Sequence, residues 1–155
     1  MVLIIGVIKG ITDEATPMKV AILTNTSIYP LSGYTYKTES ELCFLVNKQI
    51  LSVPAKFETD LASIPRWYWS IISPARSDLI ESAIIHDYLY QCHTSFTRKE
   101  ADDILYASLL NEGVDRFIAG KMYFAVRVFG SSHFKDLDCE NMYGYQKFRE
   151  NNTAT

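Results

Sequence analysis

Several features that identify common protein classes are missing from this chain of 155 residues. It has no run of about 18 or more apolar residues, so no membrane-spanning helix is expected. Its apolar start, MVLIIGVI, lacks a basic region and a small-residue cleavage site, so no signal peptide is expected. Basic residues are not in excess, because the formal net charge is −3. We therefore expect no nucleic-acid partner, since such proteins carry a basic surface.

Cysteine is scarce, and its spacing matches no common motif. Cys43, Cys92 and Cys139 are far apart and form no CxxC pair. We expect reduced thiols in a cytoplasmic product, rather than a disulfide framework or a zinc site. What remains is 48% hydrophobic and 21% charged residues, the composition of an ordinary globular domain.

The first part of the chain, residues 1–56, is predicted to be rich in β-structure. Short runs of Val, Ile, Tyr and Leu alternate with turn signals. Asn47-Lys48 separates two such runs by two residues, which predicts a hairpin. The predicted strands are 2–8, 19–23, 34–37, 42–46 and 49–53.

Residues 64–129 show a helical pattern instead. Thr97 and Glu100 form a capping box at the start of one helix, and Gly113 is placed to end it. The predicted helices are 65–72, 78–91, 98–111 and 116–129. We therefore predict one α+β domain over residues 1–130, with an antiparallel β part followed by a four-helix part. Residues 131–155 are predicted to be a polar tail or arm.

The adjacent His86 and Asp87, in the apolar run AIIHDYLY, are the main candidate for chemistry. A buried imidazole and carboxylate need partners or shifted pKa values. Asp102 falls on the next predicted helix, and a short loop should bring it close to His86. A carboxylate on one ring nitrogen would fix the tautomer and leave the other nitrogen as a base. The alternative is a structural network with Tyr90 that holds two helices in register.

A second candidate is the run FETDLASIPR, at the junction of the β and helical parts. Asp87 and Asp60 are candidate ligands of a hard cation such as Ca²⁺ or Mg²⁺. Ser63 is either a helix cap or a hydroxyl ligand. Arg66 either binds an anionic substrate group or pairs with Asp60 for structural reasons. We expect Asp60 and Arg66 to lie near the His86-Asp87 pair. Arg98 is a further candidate for substrate binding or structural support.

Four motifs resemble a family of unknown function that is encoded largely by bacteriophages and prophages, the DUF1353 family. They are VPAKFETDLASIPRWYW, AIIHDYLY, TRKEADDIL and MYFAVRVFGSS, in the right order, and they cover residues 50–132. Lys56 stands where such families have glycine. The resemblance implies a phage origin and supplies no activity.

A second resemblance does imply an activity. His86-Asp87-x-x-Tyr90, followed by Asp102, is similar to the phospholipase A(2) superfamily. The resemblance implies that His86 is the general base for water and that Asp87 binds Ca²⁺. It also implies that Asp102 orients His86, with support from Tyr90. The glycine-rich calcium loop and the disulfides of the secreted enzymes are absent from this sequence, and only FETDLASIPR stands in for the loop, with Asp60 as the extra ligand.

Two classes of function follow from these patterns. In the first, the protein is a metal-assisted hydrolase of an ester or amide, with a lipid or cell-wall substrate. In the second, it is a non-catalytic virion or tail component or assembly factor, whose partners are other phage proteins. In either case we expect synthesis in the host cytoplasm, with incorporation into the phage particle as a further expectation.

Overall fold

The computed structural model describes residues 18–61, 78–92, 94–135, 137 and 139. Within them, six strands precede three helices, so the predicted α+β class is confirmed. Three of the four predicted helices are observed. The predicted strand 2–8 and the predicted helix 65–72 lie outside the described residues.

The strands of the described part form two antiparallel sheets, each with three strands. The strands are β1 (Val20–Ile22), β2 (Ile28–Ser32), β3 (Thr35–Thr38), β4 (Leu42–Val46), β5 (Gln49–Val53) and β6 (Glu58–Thr59). One sheet has the order β1-β4-β5 and the other the order β2-β3-β6. The sequence did not predict β2 or β6, since β2 contains a proline and β6 has only two residues.

The predicted β4–β5 hairpin is confirmed. Leu42 pairs with Val53, and Val46 pairs with Gln49 across the turn. Asn47 takes φ 57°, a left-handed conformation that Asn tolerates better than most residues. Every second residue of β4 is buried, which places one face of the first sheet in the core.

Lys56, the residue that departs from the family pattern, lies in the turn before β6. Its φ of 64° is in the left-handed region, where a side chain is strained and glycine is not. The glycine that the resemblance implies at this position would avoid this strain. The Lys56 amide donates to the Thr38 carbonyl at 2.8 Å, which holds the turn.

The three helices are α1 (Asp78–Gln91), α2 (Arg98–Asn111) and α3 (Arg116–Phe129), and all have the predicted bounds. Thr97 and Glu100 make the predicted capping box at the start of α2. Asp115 caps α3 by accepting from the Phe117 amide. A short 3₁₀ helix, Gly130–His133, follows α3 directly. None of the described helices is long and apolar enough to cross a membrane.

Helices α1 and α2 are antiparallel neighbours, as predicted. Ser82 contacts Ser108, whereas His86, further along α1, contacts Asp102, earlier in α2. α2 also packs against α3 and β1, and α1 packs against β5 and β6. The helix interfaces are filled by apolar side chains that are fully buried, including Leu89, Leu105 and Met122. The His86–Asp102 contact therefore lies in the core.

The prediction of reduced cysteines is wrong for one pair, because Cys92 and Cys139 form a disulfide. The amides of Lys135 and Leu137 donate to the Tyr90 and Gln91 carbonyls, at 2.6 and 3.0 Å. These bonds place the start of the predicted tail beside the end of α1. A separation of 47 residues hid this proximity in the sequence. Cys43 is a free thiol.

Candidate active site

A buried carboxylate, Asp102, is the centre of the site. Its Oδ1 accepts from His86 Nε2 at 2.8 Å and from the Tyr90 hydroxyl at 2.6 Å. Its Oδ2 accepts from Arg127 Nη1 at 2.7 Å. The side chain of Asp102 has no exposed surface. The predicted contact between His86 and Asp102 is confirmed, and three donors satisfy the buried charge.

The protonation states of the site follow from these contacts. Burial would raise the pKa of the Asp102 carboxyl, but hydrogen bonds from His86, Tyr90 and Arg127 hold it below its usual value. Burial lowers the pKa of the His86 imidazole below 6.5, against the opposing effect of Asp102. Burial and the bond to Asp102 raise the pKa of Tyr90. At neutral pH the site holds an anionic Asp102, a neutral His86 and a neutral Tyr90.

The tautomer of His86 is set by Asp102. A carboxylate can only accept hydrogen bonds, so Nε2 carries the proton and Nδ1 carries a lone pair. Nδ1 is buried and has no hydrogen-bond partner among the described residues. A buried acceptor without a partner is costly, and such atoms call for an explanation. Here the atom is the basic ring nitrogen of His86, whose other ring nitrogen, Nε2, donates to Asp102.

Tyr90 is locked between three neighbours. Its ring lies 4.1 Å from the His86 ring, centroid to centroid, and makes an edge contact with Phe134. Gly130 leaves no room on the third side, since a Cβ there would lie 2.8 Å from the Tyr90 hydroxyl oxygen. Tyr90 therefore cannot move away from Asp102 without displacing the end of α3.

A cavity of about 420 Å³ lies beside this network. His86, Asp87 and Tyr90 line it from α1, and Asp60 lines it from the loop after β6, as predicted. Ser63 and Arg66 lie outside the described residues. The remaining wall comes from β3, β6, the end of α1, the end of α3 and the segment after it: Thr35, Glu58, Thr59, Gln91, Ala125, Val126, Phe129, Gly130, His133 and Lys135.

Asp87 is held by the loop that carries Asp60. The Thr59 hydroxyl donates to Asp87 Oδ2, and the Leu61 amide donates to the Thr59 hydroxyl oxygen. Leu61 takes φ 53°, so a strained backbone shapes this loop. Asp60 is exposed at the cavity, whereas Asp87 is buried.

The described residues contain no group of three or more His, Cys, Asp or Glu side chains placed to hold a metal ion. Asp60 and Asp87 bring two carboxylates to the cavity, and Asp87 is bonded to Thr59. Carbonyl groups and water would have to supply the other oxygen ligands of Ca²⁺ or Mg²⁺. Asp60 and Asp87 as ligands stay a prediction.

Arg127 and Thr59 contribute to the site but were missed in the sequence. A single arginine between Val126 and Val128 in an apolar helix was the available signal for Arg127. Thr59 lies next to Asp60 in a motif already singled out. Arg98, predicted as substrate or structural support, donates to the Val126 and Arg127 carbonyls at 3.3 and 3.4 Å. It thereby fixes the last turn of α3.

Comparison with known proteins assigns the family. The family described as "Protein of unknown function (DUF1353)" matches residues 36–126, more than half of the chain. The chain belongs to the DUF1353 family. The match includes every described residue that was predicted for the site, from Asp60 to Asp102, and it ends one residue before Arg127.

A relative of this DUF1353 protein is itself described as uncharacterised. "Uncharacterized protein y4jT" from Sinorhizobium fredii (strain NBRC 101917 / NGR234) is 36% identical over 80 residues. These residues are 50% of this chain but only 23% of the relative. No solved structure matches the chain. Nothing in these matches supports the phospholipase A(2) resemblance, which stays a prediction.

Proposed function

We propose that the protein is a hydrolase that cleaves an ester or amide bond in the cavity beside His86. One observation carries the proposal: His86 Nδ1 is a buried acceptor without a partner among the described residues, while Nε2 is tied to Asp102. A cavity of about 420 Å³ adjoins the same side chain. A purely structural histidine would be expected to use both nitrogens.

The proton transfer follows from this arrangement. The lowered pKa keeps His86 neutral at neutral pH, so Nδ1 is ready to accept a proton from water. The hydroxide then attacks the carbonyl carbon of the substrate. As His86 becomes positively charged, the Asp102 carboxylate on Nε2 stabilises it. The proton on Nδ1 is then delivered to the leaving group, which restores the neutral imidazole.

No step of the proposed reaction requires a cation. A divalent cation on Asp87 and Asp60 is retained as a testable addition. A phage origin, synthesis in the host cytoplasm and a lipid or cell-wall substrate also belong to the proposal. The phage origin and the substrate classes come from the sequence resemblances alone.

The test compares two neighbouring aspartates. Asp102→Asn removes the negative charge beside Nε2 and can turn an amide NH2 toward His86, and we expect ester hydrolysis to fall by roughly 10²–10⁴-fold. Asp103→Asn is the matched control, since Asp103 bonds to Lys99 and Tyr123 away from the site. His86→Ala should abolish hydrolysis. Substrates are nitrophenyl esters of several chain lengths, phospholipid vesicles and peptidoglycan, each assayed with EDTA and with added Ca²⁺ or Mg²⁺. Wild-type protein without hydrolysis of any substrate would refute the proposal.

A second candidate is a docking protein of the phage particle. The observation in its favour is that Phe117, Phe124 and Phe129 on α3 are 69%, 66% and 72% exposed. Phe117 and Phe124 are seven residues apart and so share one face of α3, and a continuous exposed apolar face is typical of a surface that another protein covers. No wild-type hydrolysis, together with lower melting temperatures for His86→Ala and Asp102→Asn, would favour this candidate.

A further inference from the structure

The two oxygens of Asp102 have different partners. Oδ1 accepts from His86 and Tyr90, and Oδ2 accepts from Arg127. A carboxylate held at one oxygen can rotate about its Cβ–Cγ bond, whereas one held at both keeps its plane fixed. Among the described hydrogen bonds, Arg127 supplies the only one to Oδ2. The orientation of Oδ1 toward His86 therefore depends on Arg127.

Arg127 is itself held in place by its backbone. Arg98 donates from both terminal nitrogens to the Arg127 carbonyl at 3.4 Å. On the other side, Gly130 lies in close contact with the Tyr90 ring. The end of α3 is thus held at two points. The Arg127 side chain is 31% exposed, but its partner Asp102 is fully buried, so this is not an ion pair between two surface groups.

We infer that Arg127 is a positioning residue, which acts through Asp102 to keep the His86 proton on Nε2 and the Nδ1 lone pair free. The effect of Arg127 on hydrolysis rests on the proposed function, whereas its effect on the His86 tautomer does not. Without Arg127, Oδ2 of a fully buried carboxylate loses its donor. The carboxylate then turns toward other donors or takes up a proton, and its bond to Nε2 weakens.

The first measurement is the tautomer of His86, read from the ring nitrogen shifts of ¹⁵N-histidine-labelled protein above neutral pH. The His86 signals are identified by their loss in His86→Ala. Wild type should show the proton on Nε2. Arg127→Met should give a mixture of tautomers, and Arg127→Lys should restore part of the wild-type state. Arg116→Met, an exposed arginine at the other end of α3, is the matched control and should match wild type.

An unchanged His86 tautomer in folded Arg127→Met would overturn the inference. If that variant does not fold, Arg127→Ala replaces it, because alanine is a strong helix former and offers Oδ2 no donor. Wild-type nitrogen shifts in Arg127→Ala would overturn the inference equally.

The second measurement is hydrolysis. We expect Arg127→Met to lower kcat by at least about tenfold, but by no more than the roughly 10²–10⁴-fold that loss of a general base costs. KM should change little. A loss confined to KM would contradict a positioning role. The two proposals fail separately. An inactive wild type refutes the hydrolase but leaves the tautomer result standing. An active wild type whose His86 tautomer ignores Arg127 refutes only the present inference.

Discussion

Replacing Gly130 by alanine should destabilise the protein, although alanine is normally the better residue where the backbone is helical, as it is here. The new Cβ would lie 2.8 Å from the Tyr90 hydroxyl oxygen, 3.1 Å from Cε2 and 3.3 Å from Cζ. Tyr90 cannot retreat, because its ring packs on His86 and Phe134 and its hydroxyl bonds to Asp102. The φ of Gly130 is −79°, so backbone strain plays no part in the result.

The magnitude follows from two opposing effects. Overpacking in a core costs about 1–3 kcal/mol, and the conformational advantage of alanine over glycine returns about 0.5–1 kcal/mol. We expect a net loss of about 1–2 kcal/mol in the free energy of unfolding. For a chain of this size, that corresponds to a Tm lower by about 2–8 °C. Thermal and urea unfolding measure both quantities.

Gly120→Ala is the matched control on the same helix. A Cβ there meets nothing within 4 Å, so this variant should be more stable by about 0.5–1 kcal/mol. Tyr90→Phe removes the nearest clashing atom, so Gly130→Ala should cost less in that background. A Tm of Gly130→Ala at or above wild type would show that the end of α3 does not hold Tyr90 in place.

Two further predictions concern pH and the disulfide. The folded protein keeps His86 neutral, whereas the unfolded chain binds a proton below its usual pKa of 6.5. The free energy of unfolding should therefore decrease as the pH falls below 6.5, and His86→Gln should flatten this dependence in melts between about pH 5 and 8. Changing Cys92 and Cys139 to serine opens a loop of 47 residues and should cost about 2–4 kcal/mol, whereas Cys43→Ser should change little. Equal melting temperatures for these two cysteine variants would contradict the disulfide.

The sequence predicted local structure well because the local signals were strong. The capping box at Thr97 and the glycine at Gly113 fixed the bounds of α2, and the short connection to α1 then brought Asp102 to His86. Arg127 was not predicted, because its contact with Asp102 spans 25 residues and depends on how α3 packs. The Cys92–Cys139 pair was missed for the same reason. Contacts between distant segments leave no periodic pattern in a single sequence.

The disulfide also changes the connectivity of the molecule. It closes a covalent ring from Cys92 to Cys139 that contains all of α2 and α3. Asp102 and Arg127 lie inside this ring, and His86 lies just outside it on α1. A single break in the turn between α2 and α3 would therefore separate no piece from the molecule. The fragment with His86 and Asp102 would stay joined to the fragment with Arg127 through the disulfide. The two fragments could separate only if the disulfide were also reduced.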